Sequence, residues 1–232
     1  MSFKTKKYQV IKGALSKELS NFIFNYMMLQ RDAVDFMMKH NKVSPVNPFI
    51  GNRTDQQIPG AYSKYGDWVM DTLLQYARPL MEQKTGLKLV PTFTYARIYT
   101  QGNVLWRHSD RESCEVSTTI NLGGDPWPLY IDPTGTKSVI KSWYSKKGEE
   151  CEVKPNAPTG VRVDLKPGDM MIYAGCDLEH WREKFEGKLC AQLFLHYNNV
   201  NGPLGITHFQ DERPILGIPK YGQLRDPQQF HN

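Results

Sequence analysis

Two periods divide the chain. From Ser16 to about residue 40, apolar residues recur at helical spacing (Leu19, Phe22, Ile23, Tyr26, Met27), which predicts an amphipathic helix with a core-facing stripe. Ser16 stands at its start as an N-cap, and Glu18 falls in the first turn, where a carboxylate meets the positive end of the helix dipole. Residues 41–61 carry Pro45, Pro48, Gly51 and Pro59 and read as a loop. Asp67 then caps a second helix with Trp68, Leu73, Leu74 and Leu80 on its buried side, Pro79 near its end and Gly86 as its stop. From about Leu89 the period becomes two. Besides an early strand at 8–11, strands are predicted over 89–99, 115–122, 129–131, 161–165, 169–174 and 189–197. Lys166-Pro167-Gly168-Asp169 is a turn between two of them.

Helices first, then short strands separated by Pro/Gly turns, predict a mainly β fold. Its core is a sandwich or barrel with the helices packed outside. One domain is expected across 1–232, with a helical support region to about 88, the β core over 89–197 and an arm over 198–232. The arm is polar, and its scattered apolar residues, among them Leu204, Phe209, Ile215 and Leu216, are expected to find partners over the barrel or near its mouth.

Composition fits a globular chain: 40% hydrophobic and 23% charged residues, with 12 Tyr, 10 Phe and 5 Trp, exclude a disordered tail or a collagen-like fibre. The net charge of +5 lies at the amino-terminal end, where residues 1–60 hold nine Lys/Arg against four Asp/Glu. That is a solvated basic surface, too mild to argue nucleic-acid binding alone. Cys114, Cys151, Cys176 and Cys190 form no CxxC pair and suggest neither a zinc ribbon nor a disulfide framework. The start is charged and lacks the apolar stretch of a signal peptide, and no run reaches the ~20 apolar residues that span a bilayer. A soluble protein of a reducing cytoplasm is expected, with no membrane partner.

The chemistry centres on Trp106-Arg107-His108-Ser109-Asp110. In an extended strand residues i and i+2 point to one side, so His108 and Asp110 can aim an imidazole and a carboxylate at a common point. His180 follows the strand at 169–174. Two histidines and one carboxylate on one face of a metal leave three positions open, the arrangement of non-haem Fe(II) oxygenases. Arg107 and Arg111, beside these residues, read as surface salt-bridging groups. Trp127 reads as a strand-entry residue, and Thr119 and Asn121 as pocket-facing.

Tyr99, nine residues before His108, Lys188, eight after His180, and the Lys-Pro-Gly-Asp turn complete a pattern. It resembles the 2-oxoglutarate- and Fe(II)-dependent dioxygenases, in particular the prolyl 4-hydroxylase-like branch, over roughly residues 89–197. The resemblance implies a distorted double-stranded β-helix (a jelly-roll, cupin-like core) with His108, Asp110 and His180 as iron ligands. It makes Lys188 the anchor for the far carboxylate of 2-oxoglutarate, one or two residues early against the family spacing, with Tyr99 in the same pocket. Arg182 is the rival anchor. The implied chemistry is hydroxylation of an unactivated C–H bond with Fe(II), 2-oxoglutarate and O2, ascorbate being a supporting reductant. A prolyl residue of a protein or peptide is the first substrate reading; another amino acid or a nucleic-acid base is the alternative. Two other classes stay open: a zinc hydrolase using His108, Asp110 and His180 or Cys114, and a non-catalytic cupin-like binding module.

Overall fold

A computed structural model describes residues 3–45, 47–142 and 151–219. Two sheets face each other. The larger has the order β1 (Tyr8–Ile11), β10 (Met170–Tyr173), β5 (Val116–Gly124), β12 (Leu189–Asn199), β3 (Leu89–Thr100), β2 (Tyr62–Tyr65). The smaller has the order β4 (Leu105–His108), β11 (His180–Arg182), β6 (Leu129–Ile131), β9 (Val161–Val163). A two-stranded sheet of β7 (Val139–Lys141) and β8 (Glu152–Val153) lies in the excursion between β6 and β9. All pairings are antiparallel.

The helices are α1 (Phe3–Lys6), α2 (Lys17–Lys39), α3 (Trp68–Thr85) and α4 (Pro203–Thr207). The capping expectations hold. Ser16 Oγ accepts from Leu19 N at 3.2 Å, Asp67 Oδ1 accepts from Val69 N at 2.9 Å, and Gly86 ends α3 at φ 71°. A side chain there would be strained, which is why glycine terminates the helix.

Strand alternation decides which residues meet the helices and which meet the interior. Ala191, Leu193, Leu195 and Tyr197 of β12, with Ala96 and Ile98 of β3, join Ile23 and Met27 of α2 and Leu74 and Met81 of α3 in one core. The opposite faces look into the space between the sheets. Tyr95, Arg97 and Tyr99 of β3, Thr119 of β5, and Phe194 and His196 of β12 line a cavity there.

The structure corrects four expectations. Phe22 and Trp68 are exposed at 61% and 75%. The buried face of α2 runs through Ser20, Ile23, Met27 and Val34, so Phe22 points away, and Trp68 occupies the first position of α3 beside Gly217. Arg107 is buried, not superficial, and pairs with Asp132 and Glu179. In the arm Leu216 packs against the core as expected, but Phe209 and Ile215 remain exposed, and charge holds much of the segment: Asp211 holds Arg111 and Tyr65, and Arg213 holds Asp71 at 2.8 Å. Residues 220–232 of that arm lie outside the described residues. No helix among the described residues is long and apolar enough to cross a membrane.

Candidate metal centre and cosubstrate pocket

His108 ends β4 and His180 begins β11, and the two are register partners in the smaller sheet. Pairing alone thus joins residues far apart in sequence, with ring centroids 4.4 Å apart. Asp110 lies just past β4, where its N–H donates to Gly175 O at 2.9 Å. Asp110 Oδ1 stands 3.7 Å from His108 Nε2 and 3.5 Å from His180 Nε2. Ligand atoms each about 2.1 Å from one ion can be at most ~4.2 Å apart, so both separations admit a metal between them.

Hydrogen bonds prepare both imidazoles. His108 Nδ1 contacts Trp106 O at 2.7 Å and His180 Nδ1 contacts Leu178 O at 3.1 Å. A carbonyl only accepts, so each Nδ1 carries the hydrogen and each Nε2 presents its lone pair inward. Gln57 of the 41–61 loop meets His108 Nε2 at 3.2 Å, and Tyr173 OH meets His180 Nε2 at 3.4 Å. Burial, reinforced by His180, pushes the His108 pKa down to about 4, which keeps the ring neutral. Burial acts to raise the Asp110 carboxyl, but the facing His180 and His108 outweigh it and hold it below the usual carboxylate range. The donor set is two imidazoles with Nε2 turned inward and one carboxylate, and it fits a divalent ion.

Three residues unremarked in the sequence shape this centre. Gly175 leaves room for the carboxylate, since a Cβ there would lie 2.4 Å from both Asp110 Oδ2 and Cys114 O. Ser117 Oγ bonds Asp110 Oδ2 at 2.8 Å and His196 Nδ1 at 2.9 Å. His196 lies against the Phe93 ring at 4.4 Å. A signal for His196 existed, because it shares the inward phase of β12 with Gln192 and Phe194. Gly175 and Ser117 carry no such signal.

The cavity beside the centre is about 620 Å³. Tyr99 lines it, and its hydroxyl accepts from Arg97 Nη1 at 3.0 Å. Thr119 lines it too and donates to Gln192 Oε1 at 3.0 Å. Asn121 does not line it; its amide donates to Leu165 O at 2.7 Å and helps hold the turn before β10. Trp127 is buried, with its indole N–H on Glu183 O at 2.8 Å and its ring in edge contact with Tyr99.

The two anchor candidates part company. Lys188 is exposed at the entry to β12, with its backbone N–H on Asp125 Oδ2 at 2.6 Å. Arg182 is 1% exposed. Strand direction alone puts Arg182 beside the metal, but the pairing register shifts between His180 and Arg182, and the side chain reaches across to the larger sheet. There Nη2 meets Thr119 Oγ1 and Gln192 Oε1, each at 3.2 Å, Nη1 donates to Trp127 O, and Nε has no partner. No carboxylate pairs with it among the described residues, and burial presses its pKa below the ordinary arginine value. A buried, unneutralised guanidinium behind the cavity wall suits an anionic ligand.

No protein-family model matches the chain, and no curated protein sequence matches it. Solved structures do. A Pseudomonas putida prolyl-4-hydroxylase is similar over 85% of this chain and 95% of its own, at 16% identity and TM-score 0.54. HygX from Streptomyces hygroscopicus, solved with nickel and 2-oxoglutarate, is similar over 86% and 85%, at 14% identity and TM-score 0.54. SnoK, a non-haem α-ketoglutarate-dependent carbocyclase from nogalamycin biosynthesis, is similar over 95% and 91%, at 12% identity and TM-score 0.58. At these identities the likeness is one of fold. The chain shares their fold, a double-stranded β-helix core with its helices outside.

Proposed function

We propose that this chain is an Fe(II)- and 2-oxoglutarate-dependent dioxygenase that hydroxylates an unactivated C–H bond. The observation that carries the reading is the convergence of His108 Nε2, His180 Nε2 and Asp110 Oδ1 at one end of a cavity on this fold. Iron held by these three residues would supply the activation of O2, with 2-oxoglutarate as the co-reductant. The protein's own part is placement. Trp106 O and Leu178 O fix the imidazoles, and Ser117 and Gly175 fix the carboxylate. Arg182, with Thr119, binds the far carboxylate of 2-oxoglutarate, and Tyr99 and Trp127 shield it from water. The cytoplasmic reading is supported by four free cysteines.

For the substrate, a prolyl residue of a protein or peptide is the leading reading, supported by the sequence resemblance and the prolyl-4-hydroxylase likeness. A small molecule is the second, favoured by the walls of the cavity, where Tyr65, Phe93, Tyr95 and Phe194 crowd the centre. A nucleic-acid base is less favoured, since the lining cations Arg97 and Arg111 are already paired with Asp55 and Asp211. A zinc hydrolase gives the buried Arg182 no task, and a binding module gives the prepared lone pairs none. The test is succinate production from 2-oxoglutarate under Fe(II) and O2, with proline-rich peptides, amino acids and oligonucleotides as prime substrates. Formation by the wild type and loss in His180→Ala supports the reading; equal formation by both overturns it.

A further inference from the structure

A third histidine is prepared in the same way as the two at the metal centre. Ser117 Oγ has a single hydrogen and lies near two groups that only accept, Asp110 Oδ2 at 2.8 Å and Cys114 O at 3.1 Å. Its contact with His196 Nδ1 at 2.9 Å must therefore be one in which the imidazole donates. His196 Nε2 is left with a lone pair, and His196 lines the cavity. Cys114 is a free, buried cysteine that lines the same wall. Neither His196 Nε2 nor Cys114 Sγ has a hydrogen-bond partner among the described residues. Ligand atoms of Asp110, Cys114 and His196 all lie within 4.8 Å of one another, so a closure of at most about half an ångström brings them onto one ion, whose sulfur and nitrogen ligands stand at most ~4.4 Å apart.

We propose that Cys114, His196 and Asp110 form a second cation site, selective for a soft divalent ion such as zinc and sharing Asp110 with the His108–Asp110–His180 site. Thiolate and imidazole with one carboxylate suit zinc, whereas imidazoles and carboxylate without sulfur suit Fe(II). Three protein ligands leave the fourth position of a tetrahedral ion open toward the cavity. The shared carboxylate couples the two sites, so an ion at one changes affinity at the other. The site stands on its own geometry and does not require the dioxygenase reading.

The test is a titration with Co(II) alone, followed in the near-ultraviolet, where a cobalt–thiolate bond absorbs strongly and imidazole and carboxylate ligands do not. The wild type and His108→Ala should both show the thiolate band, and Cys114→Ser should lack it. Absence of the band in the wild type at saturating Co(II), or its survival in Cys114→Ser, overturns the site. Loss of the band in His108→Ala also overturns it, because Cys114 would then belong to the first centre. If Cys114→Ser does not fold, His196→Ala serves. Removing an outer partner of a metal ligand already costs roughly 10–100-fold in affinity, so removing a ligand should weaken the Co(II) affinity read from the band by at least ~100-fold. An unchanged affinity in that variant rejects the proposal.

Discussion

Arg107 and Glu179, the residues immediately before His108 and His180, are joined at 2.7 Å on the far side of the strands that carry those histidines. Only two register pairs, His180 with His108 and Arg182 with Leu105, join β4 to β11, with a shift between them. So short a ladder specifies register weakly, and the buried ion pair reinforces it. Glu179 Oε1 also accepts from Ser138 N at 2.7 Å, and Arg107 holds Asp132 at 2.7 Å, which ties the β6–β9 excursion to the same point. Glu179→Gln should destabilise the fold by about 1–3 kcal/mol, because it removes one of the two carboxylates paired with the buried Arg107 guanidinium and leaves Asp132 as its only counter-charge. It should also weaken Mn(II) binding roughly 10–100-fold, as loss of support behind metal ligands does. Urea unfolding and Mn(II) paramagnetic titration measure the two effects separately.

Arg182 and Lys188 make opposite predictions for 2-oxoglutarate. A charge-assisted bond contributes about 1.5–3 kcal/mol, so Arg182→Met should raise the 2-oxoglutarate dissociation constant about ten- to a hundredfold. Lys188→Ala should leave it unchanged, because the side chain stands in solvent. Calorimetric titration of the Mn(II)-loaded protein reads both, and a loss confined to Lys188→Ala rejects Arg182 as the anchor.

Gly175→Ala places a methyl group 2.4 Å from Asp110 Oδ2 and from the Cys114 carbonyl, and the latter is backbone and cannot swing aside. Overpacking of this kind costs about 1–3 kcal/mol. The expected result is a lower melting temperature together with weaker metal binding, since the displaced group is the shared carboxylate.

The pH response follows from His108 and His196, both pushed by burial to about 4 from an ordinary 6.5. Between those values the unfolded chain binds protons that the folded chain refuses. Stability therefore falls as pH drops from about 6.5 towards 4, and is fully present above that window. Below it the depressed carboxyls of Asp110 and Asp211 add a further loss, since they must protonate in the unfolded chain first. Chelator-treated protein unfolded by urea across this range should show the slope, and His196→Asn should flatten it.

The long elements were legible because each has many residues voting for one period. α2, α3, β3, β5 and β12 all fall where apolar spacing puts them, and Ser16, Asp67 and Gly86 mark their ends through side-chain or backbone chemistry local to the sequence. β2, β4 and β11 are three or four residues long, too short for a period, and are set by pairing across the sheet. The metal-ligand candidates were readable from His108-x-Asp110 together with a later histidine after a Pro-Gly turn and the family resemblance, although Asp110 lies just past β4 and not on it. The anchor was not. Whether Lys188 or Arg182 enters the barrel depends on a register shift inside a three-residue strand. The burial of Arg107 was equally hidden, because its partners Asp132 and Glu179 are 25 and 72 residues away.

On the proposed reading His108, Asp110 and His180 hold one Fe(II) that takes 2-oxoglutarate as a chelate. Anaerobic addition of Fe(II) and then 2-oxoglutarate, watched for a weak visible charge-transfer band, tests it most directly. The wild type should develop the band on 2-oxoglutarate addition and lose it on exposure to O2, and His108→Ala should show none. A wild type that binds Fe(II) without developing the band, or a His108→Ala variant that develops it undiminished, would contradict the account.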